Sequence, residues 1–248
     1  MDHGRDCSSI RNPQSEIRNP QSAIRNRRIS LPQKRVTLAL LVLFVIIPLL
    51  SFVVDRSTSL KSNKALLYGQ ILVLELALFL LVYLVQRPLG GLGTLGWSLR
   101  FRWSDGGYAL FCWLGAMILL SFLGIILYRL GLPIRPNIRF LLPRTNQERL
   151  VWICISAVAG ASEELAYRGF AIRHFPSRSP WVAAAVSSLF FGLSHLYEGT
   201  ASAILITFYG LIFAAVVLWR GNLRVAILMH AFHDAASGLL GGALTGES

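Results

Sequence analysis

Charge is what this sequence has least of. Asp, Glu, Lys and Arg make up 15% of its residues, against about 25% in an ordinary soluble domain. Hydrophobic residues make up 54%, and no polar stretch is long enough to hold a large soluble domain. Cysteine is scarce as well. Cys7, Cys112 and Cys154 form an odd set without a CxxC pair, which suggests neither a disulfide framework nor a thiolate metal site. Cys112 and Cys154 read as small apolar residues inside helices. No HExxH occurs, so the helical zinc-peptidase signature is missing. The basic N-terminus is not followed by the apolar core and small-residue cleavage site of a signal peptide.

What is present is a series of apolar runs close to the ~20 residues a helix needs to cross a bilayer. They predict spans at Val36–Val54, Ala65–Val85, Gly107–Leu130, Gln147–His174, Trp181–Leu196, Ala201–Trp219 and Leu223–Leu240. Pro48 predicts a kink in the first. Trp97 and Trp103, in the glycine-rich loop before the third span, read as interface anchors. The expected fold is all-α: a polytopic membrane helix bundle of about seven transmembrane helices.

The N-terminus repeats with period seven as "SSIRNPQ", "SEIRNPQ" and "SAIRNRR". Each full copy carries an Asn-Pro that disrupts a helix. The expected organisation is a disordered basic tail at 1–35, three N-terminal spans and their loops at 36–146, and a core of four spans at 147–242.

The formal net charge of +12 is unevenly placed. Eight of the 24 basic residues precede the first span. With the 86–105 loop, the Arg168–Arg178 region and the Arg220–Arg224 loop, that side of the layout holds 16 of the 24. This fits the positive-inside rule, with a cytoplasmic N-terminus, better than nucleic-acid binding. The other side carries a basic cluster between Arg129 and Arg149, which runs against the bias. The implied setting is a prokaryotic cytoplasmic membrane, and the implied contact is with the lipid bilayer rather than with nucleic acid.

Ionisable residues inside spans are costly, and they mark function by default. In the last block they are Glu163, Glu164, Arg168, His195, His230, His233 and Asp234. Glu164 and Arg168 are i and i+4, as are His230 and Asp234, so each pair shares a helix face. Counted from the Phe175–Pro180 connection, Glu163 and His195 lie about 18–21 Å deep. Counted from the Trp219–Arg224 loop, His230 and Asp234 lie about 10–17 Å deep. Any one of these residues could simply be a polar contact between helices. Glu75 and His233 are read that way.

Three segments carry a resemblance: "EELAYR" (Glu163–Arg168), "FGLSH" (Phe191–His195) and "HAFHD" (His230–Asp234). They resemble the ordered patterns EExxxR, FxxxH and HxxxN/D of the CPBP family of intramembrane proteases. That family includes CAAX prenyl endopeptidases and bacteriocin-processing or abortive-infection proteins. The resemblance covers about Gln147 to Leu240 and implies a conical catalytic core formed by the last four helices. It implies an intramembrane endopeptidase with Glu163 as the general base and His195 positioning the water. It places His230 and Asp234 on the scissile carbonyl or its oxyanion, and Glu164, Arg168 and Phe191 in support. The implied substrate is a membrane-bound peptide, prenylated or bacteriocin-like. Zinc is an open cofactor, and Glu163, His195, His230 and Asp234 are the residues that would hold it. Two rival functions stay open on the residues alone: a transporter or channel with a proton or ion path, and a non-catalytic, immunity-type membrane protein.

Overall fold

The computed structural model of the chain describes residues 31–55, 63–132 and 139–244. The N-terminal repeat therefore lies outside the described residues, as does Cys7. Every expected span is a helix, and no strand occurs among the described residues. We number the helices α1 to α7.

Helix α1 runs from Leu31–Leu41 through a π-helical turn, Val42–Ile46, into Ile47–Asp55. It begins five residues before the first apolar run. The wide turn directly precedes Pro48, which has no N–H to give to the preceding turn. The Ile47 N–H bonds to the Val42 carbonyl instead, so the expected kink takes the form of a local rewinding. Helix α2 is Lys64–Gln86, with the Asn63 side chain accepting from Leu66 N at its start. Helix α3 is Trp103–Arg129.

Helix α4 starts at Asn146 behind a reciprocal capping box between Thr145 and Glu148, which satisfies two otherwise orphaned N–H groups. It continues as α-helix to Glu163, winds as π-helix over Glu164–Ala171 and finishes at Ile172–His174. All eight residues of the π segment are buried. The Tyr167 carbonyl in this segment accepts from Ser187 Oγ at 2.6 Å.

Helix α5 is Pro180–Leu193, α6 is Thr200–Arg220 and α7 is Arg224–Leu244. Gly221, at φ 65°, caps α6 and turns the chain into α7. By length and composition five helices can cross a membrane: α1, α2, α3, α4 and α6. Helix α5 has only 14 residues. Helix α7 carries His230, His233 and Asp234 and falls outside that set.

Tertiary contacts fix which ends share a side. His174 meets Gln86 Oε1 at 2.9 Å, Leu223 N donates to Gly96 O at 3.1 Å, and Arg224 Nε donates to Asp105 Oδ2 at 2.8 Å. On the other side Lys64 Nζ donates to Leu142 O at 2.8 Å, and Tyr197 N donates to Ser51 Oγ at 3.2 Å. The loops grouped in the charge count therefore do lie together.

The closest packing joins α5 to α6 and α4 to α7. Glycine permits both approaches. A Cβ at Gly160 of α4 would come within 2.8 Å of Ala231 N of α7, and one at Gly192 of α5 would strike Thr207 and the Ala203 carbonyl of α6. Without a hydrophobic drive between helices in lipid, such close backbone contact is a main source of attraction. The first three helices instead turn large apolar side chains outward, Val73, Phe111 and Phe122 among them. A surface that apolar matches a lipid environment. Trp103 is fully exposed at the start of α3. Trp97 is not a free anchor: it packs edge-on to Phe79, at 5.5 Å between ring centroids.

Candidate active site

Helices α4 and α7 bring the ionisable residues together. The buried core of the cluster is Glu164 and Arg168, whose side chains have no exposed surface. Arg168 Nη1 lies 3.0 Å from Glu164 Oε1, so the i,i+4 spacing delivers the expected pair despite the π winding. The guanidinium lies over the Phe191 ring at 4.0 Å and near Phe213 at 5.2 Å. These aromatic faces attract a cation that has lost its water. Gly210 on α6 leaves room for it, since a Cβ there would meet Arg168 Nη2 at 2.7 Å.

His230 links this buried pair to the open side of the cluster. Its Nδ1 lies 2.9 Å from Glu164 Oε1. Its Nε2 lies 3.3 Å from Glu163 Oε2 and 3.4 Å from Asp234 Oδ2. The ring hydrogen-bonds Glu164 through Nδ1 and faces both Glu163 and Asp234 with Nε2. Exposure rises in the same order: Glu164 0%, Glu163 14% and Asp234 30%. The two carboxylates at His230 Nε2 are therefore the ones open to a ligand, and the pair behind them is sealed. Phe213 stacks on the His230 ring at 5.3 Å and fixes its plane.

His195 is placed differently from the expectation. Helix α5 ends at Leu193 rather than Leu196, so His195 stands in the turn beyond it. The last amides tighten there: Ser194 N bonds to Phe190 O and His195 N to Gly192 O. Gly199, at φ 105°, then redirects the chain into α6. His195 Nδ1 donates to the Phe191 carbonyl at 2.8 Å, which orients the ring with Nε2 as its acceptor. His195 and His230 both lie against Phe191, at 4.8 and 5.8 Å between centroids. No hydrogen bond joins His195 to Glu163, Glu164 or His230. Phe191 is thus the shared wall between two histidines and Arg168.

Sequence reading passed over the turn Leu196–Glu198. Tyr197 lies beside the His195 ring at 5.8 Å. Desolvation pushes the Glu198 carboxyl above its ordinary pKa, opposed by His195. A short polar turn between two apolar helices looks like a plain connection, so no spacing marks it. His233 is a contact between helices, as expected: Trp113 Nε1 donates to its Nδ1 at 3.4 Å, and Tyr209 packs on its ring at 4.7 Å. Glu75 is also a contact between helices, as expected: Ser162 Oγ, one residue before Glu163, hydrogen-bonds to its Oε2.

Among the described residues no group of three or more His, Cys, Asp or Glu side chains is arranged to hold a metal ion. Of the four residues expected to hold zinc, Glu163 and Asp234 meet His230 Nε2, and His195 shares with His230 the Phe191 ring but no hydrogen bond. The set does not fit a zinc site.

No curated protein and no solved structure matches the chain. One family model does, over residues 145–236. Its description is "Type II CAAX prenyl endopeptidase Rce1-like". The match starts at the capping Thr145 and ends two residues after Asp234, so it contains the whole α4–α7 cluster. Residues 145–236 of the 248 are thus similar to the Rce1-like family of type II CAAX prenyl endopeptidases, a membrane protease family.

Proposed function

We propose that this chain is an intramembrane endopeptidase with Glu163 as its general base. One observation carries the reading. Glu163 Oε2 and Asp234 Oδ2 converge on His230 Nε2 at 3.3 and 3.4 Å, on the open side of a sealed Glu164–Arg168 pair.

The chemistry follows from those positions. A water hydrogen-bonded to Glu163 gives it a proton as its oxygen attacks the scissile carbonyl carbon. The carbonyl oxygen becomes an oxyanion, which needs donors already in place. His230, held by Glu164 through Nδ1, supplies one from Nε2. When the C–N bond breaks, the proton on Glu163 passes to the leaving amine, and the carboxylate is restored. His195 positions the water with its Nε2 lone pair. Asp234 orients the Nε2 side of His230.

The substrate is a membrane-associated or lipid-modified peptide, since the site lies among helices whose outer faces are apolar. A prenylated peptide is the form the family name suggests, and a bacteriocin-like peptide is the other. The N-terminus faces the cytoplasm of a prokaryotic cell, an orientation favoured by the excess of Lys and Arg on that side.

The test is mass spectrometry of peptides released in membranes carrying wild type or Glu163→Gln. The proposal expects products that are present with wild type and absent with the variant, at equal amounts of folded protein. Identical products from both would refute it.

A further inference from the structure

Glu75 lies outside the Rce1-like match and reaches into its active site. It is eleven residues from each end of α2, or about 16 Å along the axis. A carboxylate there is far from water at either surface, and ionising it in isolation is costly. Three contacts explain its place. Ser162 Oγ donates to Glu75 Oε2. The Glu75 carboxyl faces the Glu163 carboxyl of α4. Helix α2 packs along α4, which keeps the two in register. Ser162 has no exposed surface, so its competing acceptor is not water but the Val158 carbonyl of its own helix, at 2.9 Å.

Two carboxyl groups that face each other in apolar surroundings are strongly disfavoured as a pair of bare carboxylates, and a proton between them relieves the repulsion. Ser162 occupies one oxygen of Glu75 as a donor. The other oxygen then carries the proton to Glu163. Glu163 in turn faces His230 with its Oε2.

We propose, on the basis of the endopeptidase reading above, that Glu75 is a positioning residue of the active site. It is a neutral carboxyl group that accepts from Ser162, donates to Glu163 and holds the general base toward His230 and the reacting water. The family domain is then incomplete alone, and the N-terminal helices supply part of its machinery.

The experiment uses full-length protein in detergent micelles, with wild type, Glu75→Gln, Glu75→Leu and Glu163→Gln side by side. The probe is a quenched fluorescent peptide with S-farnesylcysteine near its C-terminus. Glutamine can accept from Ser162 and donate to Glu163, so Glu75→Gln should keep kcat within about threefold of wild type. Glu75→Leu should lower kcat at least about tenfold with KM within about twofold, the pattern of a misaligned base rather than of lost binding. Wild-type kcat in Glu75→Leu, per folded molecule, would overturn the proposal. So would equal losses in Glu75→Leu and Glu75→Gln.

A readout independent of turnover covers a Glu75→Leu protein that does not fold or a probe that is not cleaved. The infrared carbonyl stretch of a protonated carboxylic acid should be present in wild type and missing in Glu75→Gln. A difference spectrum, wild type minus Glu75→Gln, that lacks this band would overturn the proposal whatever the kinetics. Cleavage by wild type that persists in Glu163→Gln would refute the general-base reading instead and leave the Glu75 band unaffected.

Discussion

His230 Nδ1 lies 2.9 Å from Glu164 Oε1, the same oxygen that Arg168 Nη1 approaches at 3.0 Å. One carboxylate oxygen thereby ties together a cation, an imidazole and two helices. The sealed pair sets the direction of the His230 ring, whose Nε2 faces the open side.

This arrangement separates stability from activity. Arg168→Leu leaves Glu164 buried and without its cation, at a cost of about 3–5 kcal/mol. The double variant Glu164→Leu, Arg168→Leu removes both charges and should recover much of that loss. It should not recover peptide cleavage, because His230 Nδ1 has lost its acceptor. Thermal unfolding in detergent and cleavage of a reporter peptide, measured on the same preparations, check both halves.

Asp234 is half-open at His230 Nε2, where an amide would serve as well as a carboxylate. Asparagine can accept from the ring and also donate toward an oxyanion. Asp234→Asn should therefore keep kcat/KM within about tenfold of wild type, and Asp234→Leu should lose about 100-fold or more. Equal losses in the two variants would mean that the negative charge itself is required.

Gly192 sets the distance between α5 and α6, and so the position of Phe191 and His195. Gly192→Ala places a methyl group against Thr207 and the Ala203 carbonyl. Overpacking of this kind costs about 1–3 kcal/mol. Adding Thr207→Ala should restore only part of the loss, since a backbone carbonyl cannot be trimmed away. Unfolding midpoints of the single and double variants decide this.

Asp105 is fully buried in the first turn of α3. It accepts from Arg224 Nε at 2.8 Å and Arg102 N at 3.0 Å, and it lies 3.6 Å from Arg220 Nη2. Asp105→Ala unties α3 from α6 and α7 and should lower stability by about 1–3 kcal/mol. Both arginines keep partial access to water, which limits the loss. Kinetic constants per folded molecule should stay at wild-type values, since Asp105 touches none of the reacting groups.

The spans were legible because a bilayer imposes length and apolarity on any helix that crosses it. The pairs Glu164–Arg168 and His230–Asp234 were legible because i,i+4 spacing puts two side chains on one face. The end of α5 was less so. Ser194 and His195 are as compatible with another helical turn as with the tight turn they make, and Gly199 lies too far on to mark the last helical residue.

By itself the sequence determined an all-α bundle with a few costly polar groups in its last block, because composition and periodicity act along one chain. Only the tertiary structure decided which of those groups meet. Glu163 and Asp234 reach His230 together because small residues let α4 and α7 approach closely, while His195 packs on the Phe191 ring that His230 also contacts. Glu75 was read as a contact between helices, since nothing within α2 points to Ser162 or Glu163. Its place beside Ser162 and Glu163 depends on how α2 lies along α4, and that relation exists only in the packed molecule.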